Sequence, residues 1–247
     1  MERFKVVKDE EARRDLVEVA RLAYQQGYIC GTEGNFSIRL ADNRILTTPK
    51  GVCKGRLSVT DLVVTNLEGE PIGPASKDEA SANLPLREPS TELKMHLQCY
   101  RLRDDIGAIV HAHPTTAVAF TVAEIPLTRC ILPEAILDLG LLPVAPYATP
   151  STAEVPQSLI EPITQGNAIM LSHHGSLTFG KDIFEAFYLL ETLEHHAKTL
   201  LIAKLLGGEK TLSKEQVEKL FAITSVYGKT PPKHSEQLLT AECLSAS

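Results

Sequence analysis

The chain has no run of lysine or arginine, no C-x-x-C spacing and no apolar stretch long enough to span a bilayer. The first absence removes the electrostatic footprint of a nucleic-acid binder: 25 Lys+Arg stand against 31 Asp+Glu, a formal net charge of -6. An acidic chain that binds an anion must therefore gather positive charge and N–H donors locally. The five cysteines, Cys30, Cys53, Cys99, Cys130 and Cys243, are odd in number and far apart. That pattern predicts reduced thiols in a cytosol, not a disulfide framework. The opening "MERFKVVKDEEARRDLVEVARLA" is charged throughout and lacks the apolar core of a signal peptide. A cytoplasmic protein with neither nucleic acid nor membrane as partner is expected. There is also no internal repeat and no low-complexity tract. What remains is ordinary globular material, 43 % hydrophobic and 23 % charged over 247 residues, at the upper end for one domain.

Periodicity divides the chain into interleaved helices and strands. Ala12, Leu16, Val19, Ala20 and Ala23 recur at helical spacing, with acidic residues in the first turn and Gly27 beyond the end. "NFSIRLADNRILTTPKG" reads as two strands about an "ADN" turn, and "DLVVTNLEGEPIG" as a hairpin turning at Glu68-Gly69. Residues 74–89 read as a polar surface loop. Ser90 is the expected N-cap of a helix over "STELKMHLQCYRLR". "IGAIVHAHP" reads as a buried strand, "TTAVAFTVA" as a short helix, and "LPVAPYATP" as a strand entering a turn. "VPQSLIEPITQ" reads as a short helix interrupted by Pro162, and "NAIMLSHHGSLTFG" as two strands about Gly175. The stripe Ile183, Ala186, Phe187, Leu190, Leu193, Ala197 and Leu201 marks the longest helix, and "SKEQVEKLFAI" a shorter one. Past Gly228 the polar composition predicts a loose tail over 229–247. Strands alternating with helices argue for an α/β domain over residues 1–228.

His111 and His113 lie one residue apart at the end of an apolar run. Strand geometry points both the same way, with Cα atoms about 6.5–7 Å apart, which suits either one metal ion or two hydrogen-bonded histidines. His173-His174 closes another apolar run; neighbouring strand residues face opposite sides, so only one of the two can join. Three imidazoles are a common set for a zinc site with an open position. Glu92 is the acidic partner; His96, one helical turn on along the same face, either forms a rival pair with it or is structural, and the structural reading is preferred. His195 and His196 read as part of a solvated helix face, and His234 as inert.

"GTEGNFSIRL", "TPKG", "PSTELKMH", "IVHAHP", "APYATPST" and "LSHHGSLTFG" follow in the order seen in the class II aldolase/adducin family, nearest the L-fuculose-phosphate aldolase pattern. The chain resembles that family over about residues 10 to 228. The resemblance implies a three-layer α/β/α fold about a largely antiparallel sheet, and homotetramers with active sites between subunits. It implies zinc, or another divalent metal, held by His111, His113, His174 and Glu92, with Glu92 also the catalytic base. His173 falls to a packing or supporting role. The substrate phosphate maps to Thr32, Asn35, Gly51, Ser90 and Thr91, to which Lys50 adds a cation. The implied reaction is metal-dependent cleavage of a ketose phosphate to dihydroxyacetone phosphate and an aldehyde. A catalytic tyrosine contributed across the interface matches Tyr227.

Two positions depart from the pattern: Cys130 stands where the family places a proton-donating tyrosine, and Lys50 where many relatives have Ser or Thr. Lys50 suits a stronger phosphate grip, a second anionic group such as a carboxylate, or solvent. Epimerase, dehydratase and sugar-acid decarboxylase chemistry on the same scaffold remain alternatives, as does a non-catalytic adducin-like interaction module.

Overall fold

A computed structural model describes residues 8–72, 87–232 and 234–244. Seven strands form one sheet: β1 (Asn35–Arg39), β2 (Ile45–Thr47), β3 (Val63–Thr65), β4 (Ala108–Ala112), β5 (Val144–Ala145), β6 (Ala168–Leu171) and β7 (Gly175–Gly180). Their order in space is β3-β2-β1-β4-β7-β6-β5, and every pairing is antiparallel except β5 with β6. The helices are α1 (Asp9–Gln25), α2 (Leu93–Leu102), α3 (Thr115–Val122), α4 (Pro133–Asp138), α5 (Glu154–Ser158), α6 (Ile183–Leu205), α7 (Lys214–Ala222) and α8 (Ala241–Leu244).

Alternation along the central strands sorts their side chains to two covered faces. Phe36, Ile38, Ala108 and Val110 pack with Leu16 and Ala20 of α1 and with Ala186, Phe187 and Leu190 of α6. Ile109, Ile169, Leu177 and Phe179 pack with Met95, Leu97 and Tyr100 of α2 and with Val155 of α5. The result is a three-layer α/β/α fold about a largely antiparallel sheet. With both faces covered, β1, β4, β6 and β7 are buried end to end. That is why β4 and β6 read as near-continuous apolar runs, while β1 and β7 bury polar residues such as Asn35, Ser37, Ser176 and Thr178 alongside their apolar ones.

Local chemistry sets the element ends. Asp182 caps α6 by accepting from the Glu185 N–H, and Ser213 with Gln216 forms a capping box on α7. α2 begins at Leu93, not at a Ser90 cap. The chain is held extended just before it: Pro89 bridges Pro49, and the Ser90 N–H donates to the Thr48 carbonyl at 3.3 Å. The helix starts once those bonds end. The loop expected at 74–89 lies outside the described residues except for 87–89.

The cysteine and tail expectations are overturned together. Cys130 and Cys243 form a disulfide with Cα atoms 5.5 Å apart, while Cys30, Cys53 and Cys99 are free. Sequence separation of 113 hid the pair. The described residues past 234 are not loose. Leu238 and Cys243 are buried against Cys130, Ile136 and Val217. No described helix is long and apolar enough to cross a membrane.

Candidate metal centre

The sheet register brings the site together. β4 lies between β1 and β7, so Asn35 pairs opposite His111, and Leu177 flanks it on the other side. His113 follows the end of β4, its N–H donating to the Tyr28 carbonyl at 2.8 Å. His173 and His174 occupy the turn between β6 and β7 rather than a strand. His173 takes a left-handed conformation (φ 56°) and is exposed. That kink swings His174 onto the histidine pair instead.

Potential ligand atoms of His111, His113 and His174 all lie within 4.8 Å of one another. His111 Nδ1 donates to the Ser176 carbonyl at 2.9 Å. A carbonyl only accepts, so the proton sits on Nδ1 and the Nε2 lone pair faces inward. His113 Nδ1 lies 3.1 Å from Glu33 Oε2, which fixes the same tautomer. The two Nε2 atoms are 3.1 Å apart. Two lone pairs at that distance repel unless a cation lies between them. Nitrogens on a tetrahedral zinc, at about 2.0–2.1 Å each, sit about 3.3 Å from one another. The donor set therefore fits a divalent ion.

Glu92, the residue just before α2, closes the fourth side. Its Oε1 is 3.2 Å from His174 Nε2 and its Oε2 is 3.5 Å from His111 Nε2. Asn35 Nδ2 donates to the same Oε2 at 2.9 Å. Burial pushes the Glu92 carboxyl up, but the adjacent rings of His111 and His174 outweigh it and hold it well below the usual carboxylate range. Burial and the neighbouring rings of His111 and His174 push His113 down to about 4, against the pull of Glu33. It is neutral and able to ligate at neutral pH.

Around this centre the expected anion residues take several places. Thr91 and Ser151 share a hydroxyl bond of 3.0 Å, and Ser90 Oγ accepts from the Glu92 N–H at 3.3 Å. Gly51 turns with φ 69° at the surface, a backbone angle that suits glycine. The Lys50 ammonium pairs with Glu88 at 3.1 Å, both side chains exposed. Tyr227 is 58 % exposed in the turn after α7. Among the described residues it has no hydrogen bond or ring contact with the histidine cluster.

His96 is buried, bonded through Nδ1 to Ser37 Oγ at 2.7 Å, and takes no place in the cluster. The solvated-face expectation holds for exposed His195 but not for His196, which is 1 % exposed and bonded to the Leu127 carbonyl. Three participants were missed. Glu33 occupies the variable place in "GTEGN", the Ser176 carbonyl leaves no sequence signal, and Lys54 reaches the Thr32 carbonyl at 2.6 Å.

Residues 14–201 match the family model described as Class II Aldolase and Adducin N-terminal domain. A 3-oxo-tetronate 4-phosphate decarboxylase of Haemophilus influenzae is 33 % identical over 74 % of this chain and 83 % of its own. An L-fuculose phosphate aldolase of Methanococcus maripaludis is 32 % identical over 74 % of this chain and 93 % of its own. The crystal structure of YgbL from Klebsiella pneumoniae superposes with a TM-score of 0.75 at 28 % identity, covering 87 % of this chain and 99 % of that one.

Proposed function

Because the chain belongs to the class II aldolase and adducin family, we propose that it is a divalent-metal-dependent carbon–carbon lyase acting on a phosphorylated sugar or sugar acid. One observation carries the reading: potential ligand atoms of His111, His113 and His174 lie within 4.8 Å of one another, with the Glu92 carboxylate 3.2 Å from His174 Nε2 and 3.5 Å from His111 Nε2. His111, His113, His174 and Glu92 are its ligands, and zinc is the ion their chemistry suits. Bound there, the ion supplies Lewis-acid polarisation of the substrate carbonyl and steadies the negative charge that develops as the adjacent bond breaks. Glu92 carries the proton at the carbon that loses its substituent. Asn35 holds the carboxylate in register. Thr32, Gly51, Ser90 and Thr91 bind the phosphate, Lys50 takes a second anionic group, and Tyr227 serves a site on a second copy in a homotetramer.

Two leaving groups suit this apparatus. Aldol cleavage, the reaction the sequence first suggests, needs a proton transfer at the aldehyde oxygen. Decarboxylation needs none at the departing carbon. Cys130 is disulfide-bonded and fully buried, so it offers no thiol proton in the place of the family tyrosine. That favours loss of CO2 from a 3-oxo sugar-acid phosphate, the class named for the Haemophilus relative. The C1–C2 bond breaks with loss of CO2, its electron pair stays on C2, and a proton drawn from water and passed on by Glu92 reaches C2 to give dihydroxyacetone phosphate.

The test is to incubate metal-loaded protein with 3-oxo-tetronate 4-phosphate and, separately, with L-fuculose 1-phosphate, and to identify products by mass. Dihydroxyacetone phosphate with CO2 from the first is expected. Aldehyde from the second alone returns the assignment to aldol cleavage, and no product from either with metal bound refutes the lyase reading. Glu92→Gln should retain fold while losing proton exchange at the hydroxymethyl carbon of dihydroxyacetone phosphate.

A further inference from the structure

Resting on the lyase reading above, we infer that Lys54 is a specificity-determining residue, the buried cation that recognises the substrate's phosphate. Its side chain enters from the turn Lys54–Arg56, three residues beyond Gly51, and is only 2 % exposed. Among the described residues the Thr32 carbonyl is its one hydrogen-bond acceptor, at 2.6 Å. An ammonium has three N–H donors and no acceptor. Two donors therefore have no acceptor among the described residues, in a place where solvent scarcely reaches, and leaving such donors unmatched is costly. A phosphate dianion supplies both the missing acceptors and the opposite charge.

The surroundings point the same way. Thr32 and Gly51 belong to the loops assigned to the anion, and Glu33 and Asn35, on the loop that Lys54 clasps, reach His113 and Glu92. Burial lowers the Lys54 ammonium to about 8, although Cys53, Glu92 and Glu33 pull it up. It is thus within electrostatic reach of the carboxylates at the metal centre. Lys50, by contrast, already has Glu88 in open solvent. Selectivity for phosphorylated over free substrates then comes from an interior charge that water cannot screen.

Inorganic phosphate is the probe, titrated calorimetrically into the full-length protein, with metal content measured on the same samples. Lys54→Met and Lys54→Gln should weaken phosphate by about ten- to hundredfold while keeping bound metal, and Lys54→Arg should restore most of the loss. Wild-type affinity in both neutral variants overturns the assignment and leaves the metal-lyase reading standing. No phosphate binding by wild type at millimolar concentration overturns it together with the anion pocket. If the neutral variants fail to fold, ¹³C-lysine NMR of the wild type decides. The Lys54 Cε resonance must move with phosphate while that of exposed Lys219 stays; a Lys54 signal unmoved at saturation ends the proposal.

Discussion

Replacing Glu33 with Ala tests whether the second layer of bonds sets metal affinity. Glu33 Oε2 takes the His113 Nδ1 proton at 3.1 Å and also accepts from Cys30 Sγ at 3.2 Å. The Cys30 bond is the largest influence on its carboxyl and lowers it, against burial, which raises it, and with the smaller help of the bond to His113. Removing the carboxylate frees the His113 ring to rotate and lets its proton settle on the nitrogen that should ligate. Groups in this position contribute about 10–100-fold in metal affinity. The Glu33 side chain is 49 % exposed, so water replaces part of the lost bond. The expected loss is at the low end, about tenfold, or about 1.4 kcal/mol. Glu33→Gln keeps an acceptor but not the charge, and should fall about midway on a logarithmic scale. Competition with a chelator of known affinity measures wild type, both Glu33 variants and His113→Ala. A Glu33→Ala affinity within twofold of wild type would refute the argument. So would a loss as large as that of His113→Ala, because Glu33 would then be acting as a ligand.

Lys54 should make stability rise with pH. Its folded pKa of about 8 lies below the unfolded 10.5, so the unfolded chain holds more protons between those values. The penalty is complete below pH 8 and is relieved by about 3 kcal/mol as pH approaches 10.5; urea titrations of wild type minus Lys54→Met should show that difference slope, and parallel curves would contradict it. Gly175→Ala should abolish metal binding, because a Cβ there would lie 2.6 Å from the Ala112 carbonyl, 2.7 Å from His113 Cδ2 and 3.0 Å from His111 Cε1; retained metal by elemental analysis would show that the strand can yield. Cys243→Ser should cost about 2–4 kcal/mol in denaturant unfolding under non-reducing conditions, since it opens a loop of 113 residues, while metal content stays unchanged; identical midpoints for variant and wild type would remove the disulfide from the account.

The candidate ligands His111 and His113 were legible because strand parity is a short-range rule: residues at i and i+2 share a face, and the parity of β4 carries on to His113 just past its end. His174 needed more. It lies in a turn, and its direction depends on the left-handed His173, which parity does not describe. Six motifs in family order carried the three-layer fold. What they omit is partnership between distant segments. Nothing local to Cys130 or Cys243 tells that α8 folds back onto the segment before α4, and a polar tail composition pointed the other way. Lys54 carries no sequence signal for the same reason: its neighbour Lys50 sits beside the glycine of "TPKG", whereas the role inferred for Lys54 starts from a carbonyl reached through space. The late start of α2 likewise follows from the Pro49–Pro89 bridge, a pairing between two loops.

The placement of β4 between β1 and β7 has a thermodynamic corollary. An ion at this site would cross-link the central strand, the β6–β7 turn and the chain entering α2, three segments that meet only after the sheet has assembled. Such an ion binds the native chain far better than the denatured one, and each tenfold of saturation then adds about 1.4 kcal/mol to the unfolding free energy. Stripping it with EDTA should lower the melting temperature of the whole domain, not merely silence one corner of it.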